Sequence, residues 1–397
     1  MEIRKRQVDT LLFLLTIIFL VGGILLVFDA SYATAGQAKY TGGDSFYFFK
    51  RQAVFAVAGL IVLLITSHIP YWKLRGLAPT LLFISIFGLV AVFIPGLGIE
   101  VNGASRWIGI KGSPIQIQPS ELTKIALVLF LAVYLSNKKT DIRRFKEGLI
   151  IPIALMGITG ILIMAEPDMG TAIIICGTWF AMLFMAGARK KHLLVIFLAG
   201  VILGSLLIII EPYRLARVTS FRNPFADYYG SGYQVCRSLI ALGSGGIRGV
   251  GLCEGREKCF YLPAEHTDFI LATLGEELGL IGTLSLAGLF LIFGLRGLAI
   301  AYRTKENFGK LLAAGISILI CGQALLNMLV VTSSVPATGV PLPFISYGGS
   351  SLVLNLFGVG ILLGISKYPE PVKEYINESR NNRRRNRRTR ISGYEYS

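Results

Sequence analysis

The chain carries ten apolar runs, each about long enough to cross the ~30 Å hydrocarbon core of a bilayer as a helix. They lie at 9–29, 47–67, 77–95, 119–136, 147–164, 168–187, 192–211, 267–301, 309–332 and 350–367. Backbone inside lipid must satisfy its own hydrogen bonds, and a helix does this locally. The spacing therefore predicts an all-α polytopic membrane protein. The eighth run is long enough to tilt, kink or extend past the bilayer. Composition agrees: 53% of the 397 residues are hydrophobic and only 16% charged, more apolar surface than a soluble domain can hide. Small residues between Ala30 and Ala35 could be read as a leader-cleavage site. The preceding run, Thr10 to Phe28, is of spanning length and reads as a retained first helix.

Lys and Arg set the orientation. Arg4/Lys5/Arg6, Lys73/Arg75, Lys138/Lys139/Arg143/Arg144/Lys146, Arg189/Lys190/Lys191 and Arg303/Lys305/Lys310 fall between alternate runs. The tail, 368–397, adds Arg380, Arg383, Arg384, Arg385, Arg387, Arg388 and Arg390. Ten spans with both termini cytoplasmic put all of these inside. The net charge of +16 is thus a topogenic charge, not the basic face of a nucleic-acid binder. The tail reads as a disordered topogenic segment, with anionic lipid or a partner as the alternative ligand.

Residues 1–367 form one membrane domain, interrupted by a large outer loop, 212–266, between spans seven and eight. This loop carries Arg214, Arg217, Arg222, Arg237, Arg248, Arg256 and Lys258 on the side where the bias predicts few cations. Long loops translocate regardless of charge, but a basic outer surface suits a phosphate-bearing ligand. The Gly/Pro-rich segments 95–119 and 333–349 read as ordered turns or partly re-entrant loops. Cys176 and Cys321 lie in apolar runs, as core packing does. Cys236, Cys253 and Cys259 share the outer loop without a His pair or second CxxC, which argues against metal. An oxidising outer space would permit a Cys253–Cys259 disulfide.

Ionisable residues beside spans are costly and are candidates for function. Here they are Arg106, Glu121, Lys124, Glu166, Asp168, Asp268, Glu276 and Glu277. In Gln118-Pro119-Ser120-Glu121-Leu122-Thr123-Lys124, Pro119 and Glu121 suit a helix N-terminus, and Glu121 and Lys124 share a face and can pair. In Leu262-Pro263-Ala264-Glu265-His266-Thr267-Asp268, three side chains could act as a base. His266 titrates nearest neutrality unaided. Asp268 stands at the mouth of the eighth span, where nearby cations lower its pKa and desolvation raises it. Ala272, Gly275, Gly279 and Gly282 lie beneath it, a stripe suited to close helix packing or to a lipid chain. The residues alone leave the choice among Asp268, His266 and Glu265 open, and helix capping is an equal alternative for Asp268.

These motifs resemble the SEDS family (shape, elongation, division and sporulation), the membrane peptidoglycan glycosyltransferases. The resemblance rests on Val101-Asn102-Gly103-Ala104-Ser105-Arg106-Trp107-Ile108, the Gln118 to Lys124 stretch, and Glu166-Pro167-Asp168-Met169-Gly170-Thr171-Ala172. It continues through Tyr261 to Ile270, Gly275-Glu276-Glu277-Leu278-Gly279 and Thr338 to Ser351. Pro212 to Gln234 and Ser45 to Gln52 are most similar to the division members and their sporulation relatives. The Ala264-Glu265 order reverses the family's usual one, which lowers the weight on Glu265.

The resemblance implies ten helices, a multi-pass place in the bacterial cytoplasmic membrane, and polymerisation of lipid II on its outer face, with inversion and release of undecaprenyl pyrophosphate. It makes Asp268 the catalytic carboxylate. Arg106, Trp107, Lys124 and Glu276 match positions around the family's cavity, and Arg214, Arg217, His266 and Ser346 complete the expected substrate-binding set. It further implies a divalent cation, Mg2+ or Mn2+, whose ligands the sequence does not assign. The implied partners are a class B penicillin-binding transpeptidase and division-complex proteins. Two other readings stand beside this one: a flippase for lipid-linked precursor, favoured by the deeper Lys124, Glu276 and Glu277, and a non-catalytic division scaffold.

Overall fold

The computed structural model describes residues 8–38, 41–101, 104–109, 116–137, 140–230, 232–259, 261–263 and 265–368. The basic residues Arg4 to Arg6, Lys138/Lys139 and the arginine-rich tail lie outside these, as do Asn102, Gly103 and Ala264.

Twelve helices are described. The membrane bundle comprises α1 (Thr10–Gln37), α2 (Tyr47–His68), α3 (Leu74–Ala91), α4 (Pro119–Leu135), α5 (Ile150–Ala165), α6 (Met169–Met185) and α7 (Lys190–Ile210), then α10 (Ile270–Arg303), α11 (Asn307–Val331) and α12 (Gly349–Lys367). Between α7 and α10 come α8 (Pro212–Arg222) and α9 (Tyr233–Gly245). Eight of these helices, some with their leading turns, are long and apolar enough to cross a membrane. The other two of the ten expected spans are α4 and α6, each 17 residues and thus about 25 Å long.

Local signals place the helix starts. Asp9 caps α1 by accepting from Leu12 N at 3.0 Å. Asp168 caps α6 through Thr171 N at 3.1 Å, and Pro119 opens α4, where a missing N–H costs nothing. The centre of the bundle is α11 and α12, while α7 buries only Leu193 and presents its apolar faces outward. Such outward faces are what lipid requires of a span.

Three sequence expectations need correcting. The first helix continues to Gln37 rather than stopping near 29; beyond the apolar run, Ser31 and Thr34 satisfy their hydroxyls within the helix, on Val27 O and Ser31 O. Segment 95–119 holds a three-stranded antiparallel sheet, β1 (Gly98–Val101), β2 (Ala104–Gly109) and β3 (Gln116–Ile117), rather than ordered turns or a partly re-entrant loop. Its apolar residues alternate over too short a reach to be told from turns. Cys176 is exposed on α6, not packed in the core, and Cys253 and Cys259 are both free thiols.

The long eighth span is broken. Gly279 has φ +65° and ψ −160° inside α10, which separates Ile270–Leu278 from the membrane-crossing remainder. The main-chain groups around the break are satisfied by the preceding loop. Val250 N and Gly251 N donate to Glu276 O and Glu277 O, while Leu280 N and Ile281 N donate to Gly246 O and Ile247 O. Only glycine fits: a Cβ here would stand 2.4 Å from Gly249 N.

Candidate functional site

The break in α10 leaves a short half-helix at the outer end of the bundle, and Asp268 lies just before it. Its main chain is fastened from two sides. Asn327 on α11 donates from Nδ2 to Asp268 O at 2.7 Å and to Val340 O at 2.8 Å. Ser346 donates to Thr267 O at 2.5 Å and accepts from Leu342 N at 2.8 Å. Tyr347 N donates to His266 O at 2.9 Å. Gln52, fully buried on α2, donates to Ser346 O at 3.2 Å. The segment 333–348 thus wraps the turn that carries Asp268, and Gly339, at φ +73°, lies beside it: a Cβ there would be in ordinary contact, 3.5 Å from Asp268 Oδ2.

The opposite wall is the start of α6. Gly170 packs against Thr338 and Val340, where a Cβ would come within 2.1 Å of Val340 Cγ2. This brings Asp168 and Asp268 within electrostatic reach. Burial first, then the Asp168 carboxylate, raises the Asp268 carboxyl to about 6, against the opposing pull of Arg106, Arg217 and His266. Glu166 is fully buried, and neither of its carboxyl oxygens has a hydrogen-bond partner among the described residues. Burial, then Asp168, pushes it to about 8, with Arg106 opposing, so it is mostly neutral at pH 7.

The arginines are held by carbonyls. Arg106, on β2, donates from Nε to Glu166 O at 2.9 Å and from Nη2 to Pro167 O at 2.6 Å. Arg214 on α8 donates to Met164 O at 2.8 Å and Leu207 O at 3.2 Å, and Arg217 to Ala337 O at 3.1 Å. Trp107 follows Arg106 on β2 and is paired in register with Ile99, so strand alternation turns it to the opposite face. His266 lies against Phe48, with ring centroids 4.2 Å apart, and its Nδ1 is 3.4 Å from Glu265 Oε1. Glu265 in turn accepts from Thr34 on α1 at 2.8 Å.

Two expected ligand-binding residues are engaged within the protein. Lys124 reaches Glu121 at 2.8 Å and Gln323 Oε1 at 2.6 Å, and its side chain is 4% exposed. Gln323 continues the chain to Pro341 O at 2.9 Å. Glu276 accepts from Arg256 N at 2.8 Å and Glu257 N at 3.2 Å, which fastens the loop over the half-helix. Beside it Lys258 bonds both Asp29 on α1 and Glu277. Asn327, Gln323 and Gln52 are functional residues beyond the expected set. Their signal was present, since each is an amide inside an apolar run, where an unpaired polar group is costly.

Among the described residues no three His, Cys, Asp or Glu side chains converge as a ready metal cage. Asp168 still fits a hard divalent cation, which takes one or two carboxylates and fills its shell with water and phosphate oxygens. Asp168 keeps lone pairs beyond its bonds to Thr171 N and, at 3.5 Å, Gln118 Nε2.

A polytopic bundle with a broken helix, a carboxylate at its outer mouth and arginines around it is the class that the fold and site define. Residues 9–370 match the profile of the cell cycle protein family FtsW/RodA/SpoVE. The chain is 42% identical over 368 residues to stage V sporulation protein E of Bacillus subtilis, covering 93% of this chain and 99% of that one. It is also 42% identical over 363 residues to a probable peptidoglycan glycosyltransferase FtsW of Trichlorobacter lovleyi, covering 91% and 94%. Among solved structures, it superposes with a TM-score of 0.73 and 27% identity on a chain from a peptidoglycan synthase complex, covering 90% of this chain and 97% of that one. The rod shape determining protein RodA of Thermus thermophilus gives 0.67 and 26%, covering 91% and 98%. The chain belongs to the FtsW/RodA/SpoVE family.

Proposed function

We propose that this protein is a peptidoglycan glycosyltransferase that polymerises lipid II at the outer face of the bacterial cytoplasmic membrane, with a role in septal wall synthesis. The observation that carries this reading is Asp268: a half-buried carboxylate raised to about 6, on rigidly held main chain, facing two arginines. Such a group is ionised at neutral pH yet basic enough to accept a proton in the transition state. The acceptor sugar hydroxyl gives its proton to Asp268 as its oxygen bonds to the anomeric carbon of the donor. The bond from that carbon to the pyrophosphate oxygen breaks, and the pyrophosphate takes the electron pair. Arg106 and Arg217 stabilise the charge that develops there. No second carboxylate is needed as a nucleophile, so one displacement inverts the anomeric centre. Asp168 would hold a Mg2+ or Mn2+ ion, which supplies Lewis acidity toward the pyrophosphate.

The relatives named FtsW support a division role, and the sporulation relative a cognate one. The superposed chain from a peptidoglycan synthase complex supports a class B transpeptidase as partner. The flippase reading loses its main support, because Lys124, Glu276 and Glu277 are all bonded within the protein. The test is polymerisation of lipid II with Mn2+ by the purified protein and its cognate transpeptidase. Glycan strands from the wild type, and none from an Asp268→Asn variant that still binds lipid II, are expected. Equal polymer from both would remove Asp268 from catalysis. No polymer from either would favour transport or scaffolding.

A further inference from the structure

We propose that a cavity at the cytoplasmic end of α1, α10 and α12 binds the phosphate of an anionic phospholipid. The cavity has a volume of about 320 Å3 and is lined by Asp9, Leu11, Arg296, Arg303, Thr304 and Ser366, among others. That is the size of a small-molecule site, about 300–1,000 Å3. It lies far from Asp268, where α1 begins and α10 and α12 end, the side that the Lys/Arg bias places in the cytoplasm.

The charges inside do not balance. Asp9 bonds Arg296 Nη2 at 2.6 Å and Nε at 3.4 Å. Its second task, capping α1, fixes it in place, while its own N–H donates to Ser366 Oγ at 3.2 Å. Arg303 has no ion-pair or hydrogen-bond partner among the described residues. Seven residues separate Arg296 from Arg303, so both stand on one face of α10, about 10 Å apart along its axis. One carboxylate against two guanidinium groups leaves a single positive charge. The hydroxyls cannot supply compensation: Thr304 donates to Ile300 O and Ser366 to Leu363 O. A phosphodiester carries one negative charge and accepts the planar fork of donors that arginine offers.

The surroundings select a lipid over free phosphate. Leu11 is 43% exposed at the cavity, and Leu14 and Ile18 are exposed further along α1. On α10, Ile292 lies one turn deeper on the face of Arg296 and is 42% exposed, and Tyr302 is exposed beside Arg303. A ligand with its phosphate in the cavity would therefore meet apolar side chains toward the bilayer centre. The cytoplasmic leaflet is also where anionic headgroups concentrate.

The test is native mass spectrometry of the delipidated full-length protein, titrated with phosphatidylglycerol or phosphatidylcholine. Phosphatidylglycerol is expected to bind more tightly than phosphatidylcholine. Arg303→Gln should weaken phosphatidylglycerol about fivefold and leave phosphatidylcholine unchanged, with Arg303→Lys, which keeps the charge but not the fork, falling between the two. Arg296→Gln alone leaves Asp9 unpaired and endangers folding. The Asp9→Asn/Arg296→Gln pair avoids that and keeps the single positive charge of Arg303, so it should retain the preference for phosphatidylglycerol; loss of that preference would overturn the role given to Arg303. Equal binding of the two lipids, or no change in Arg303→Gln, would overturn the proposal. Displacement of phosphatidylglycerol by millimolar inorganic phosphate would overturn the assignment to a lipid.

Discussion

The side-chain amide of Asn327 bonds the main-chain oxygens of both Asp268 and Val340, at 2.7 and 2.8 Å. One fully buried side chain on α11 thereby fixes the distance between the turn that carries the carboxylate and the segment that wraps it. Replacing it with leucine would strand two buried carbonyls, at about 1–3 kcal/mol each. Asn327→Leu is expected to lower the thermal midpoint and to reduce polymerisation at least tenfold, with lipid II affinity nearly unchanged. Unaltered turnover in a folded Asn327→Leu protein would show that this spacing is irrelevant to activity.

The rate of polymerisation should follow the ionisation of Asp268. With its carboxyl at about 6, activity is expected to be flat above pH 7 and to fall about tenfold per unit well below pH 6. A profile of kcat/KM from pH 4.5 to 8 reads this directly. An inflection near 4 would mean that the field of Arg106 and Arg217 cancels the effect of burial.

The same group should cost stability. Its folded pKa lies above its unfolded value of 3.8, so between about pH 4 and 6 the folded state holds more protons than the unfolded one. Stability from this group is therefore fully present below pH 4, declines as pH rises through 6, and is constant above. The carboxyl is only half-buried, so we expect about 1–2 kcal/mol rather than the full shift. Asp268→Asn should raise the midpoint at pH 7.5, measured with EDTA present, and have no effect at pH 4.

Lys124 and Glu121 form a pair whose side chains are each 4% exposed. Lys124→Met leaves Glu121 charged and buried, at a cost of about 3–5 kcal/mol. The double variant Lys124→Met/Glu121→Gln is expected to recover most of that stability. If it also recovers polymerisation, Lys124 is structural. If activity stays lost in a stable protein, its charge serves the reaction.

Gly279→Ala should be among the most damaging single-methyl changes in the chain. It meets both a positive φ and the backbone of Gly249 at 2.4 Å. We expect loss of expression or a several-degree fall in the midpoint, whereas Gly288→Ala, in the same helix with open space around it, should be neutral.

The ten spans were legible because lipid imposes one period and one length, and α2, α4 and α12 fall within a residue of their expected bounds. Asp268 and the arginines were legible as charges beside apolar runs, and their likeness to known motifs narrowed the choice. The break at Gly279 was only half visible. Its glycine was noted for close packing, but the four strand-like bonds to 246–251 that stabilise the break join residues about 30 apart. The pairing of Lys124 with Glu121 was readable from their spacing, whereas its link to Gln323, 199 residues away, was not. Asn327 and Ser346 are themselves marked in the sequence, but their partners are not, since a main-chain carbonyl is the same atom in every residue.

Arg106 and Arg214 bond neutral carbonyls rather than carboxylates. They are immobilised without being discharged. Their field extends into the water above the membrane, where it is cut off only over the ~8 Å Debye length of physiological salt. An anionic substrate diffusing in the leaflet is thus drawn in before contact. Capture should slow as ionic strength rises, while the chemical step, inside the wrapped site, should not.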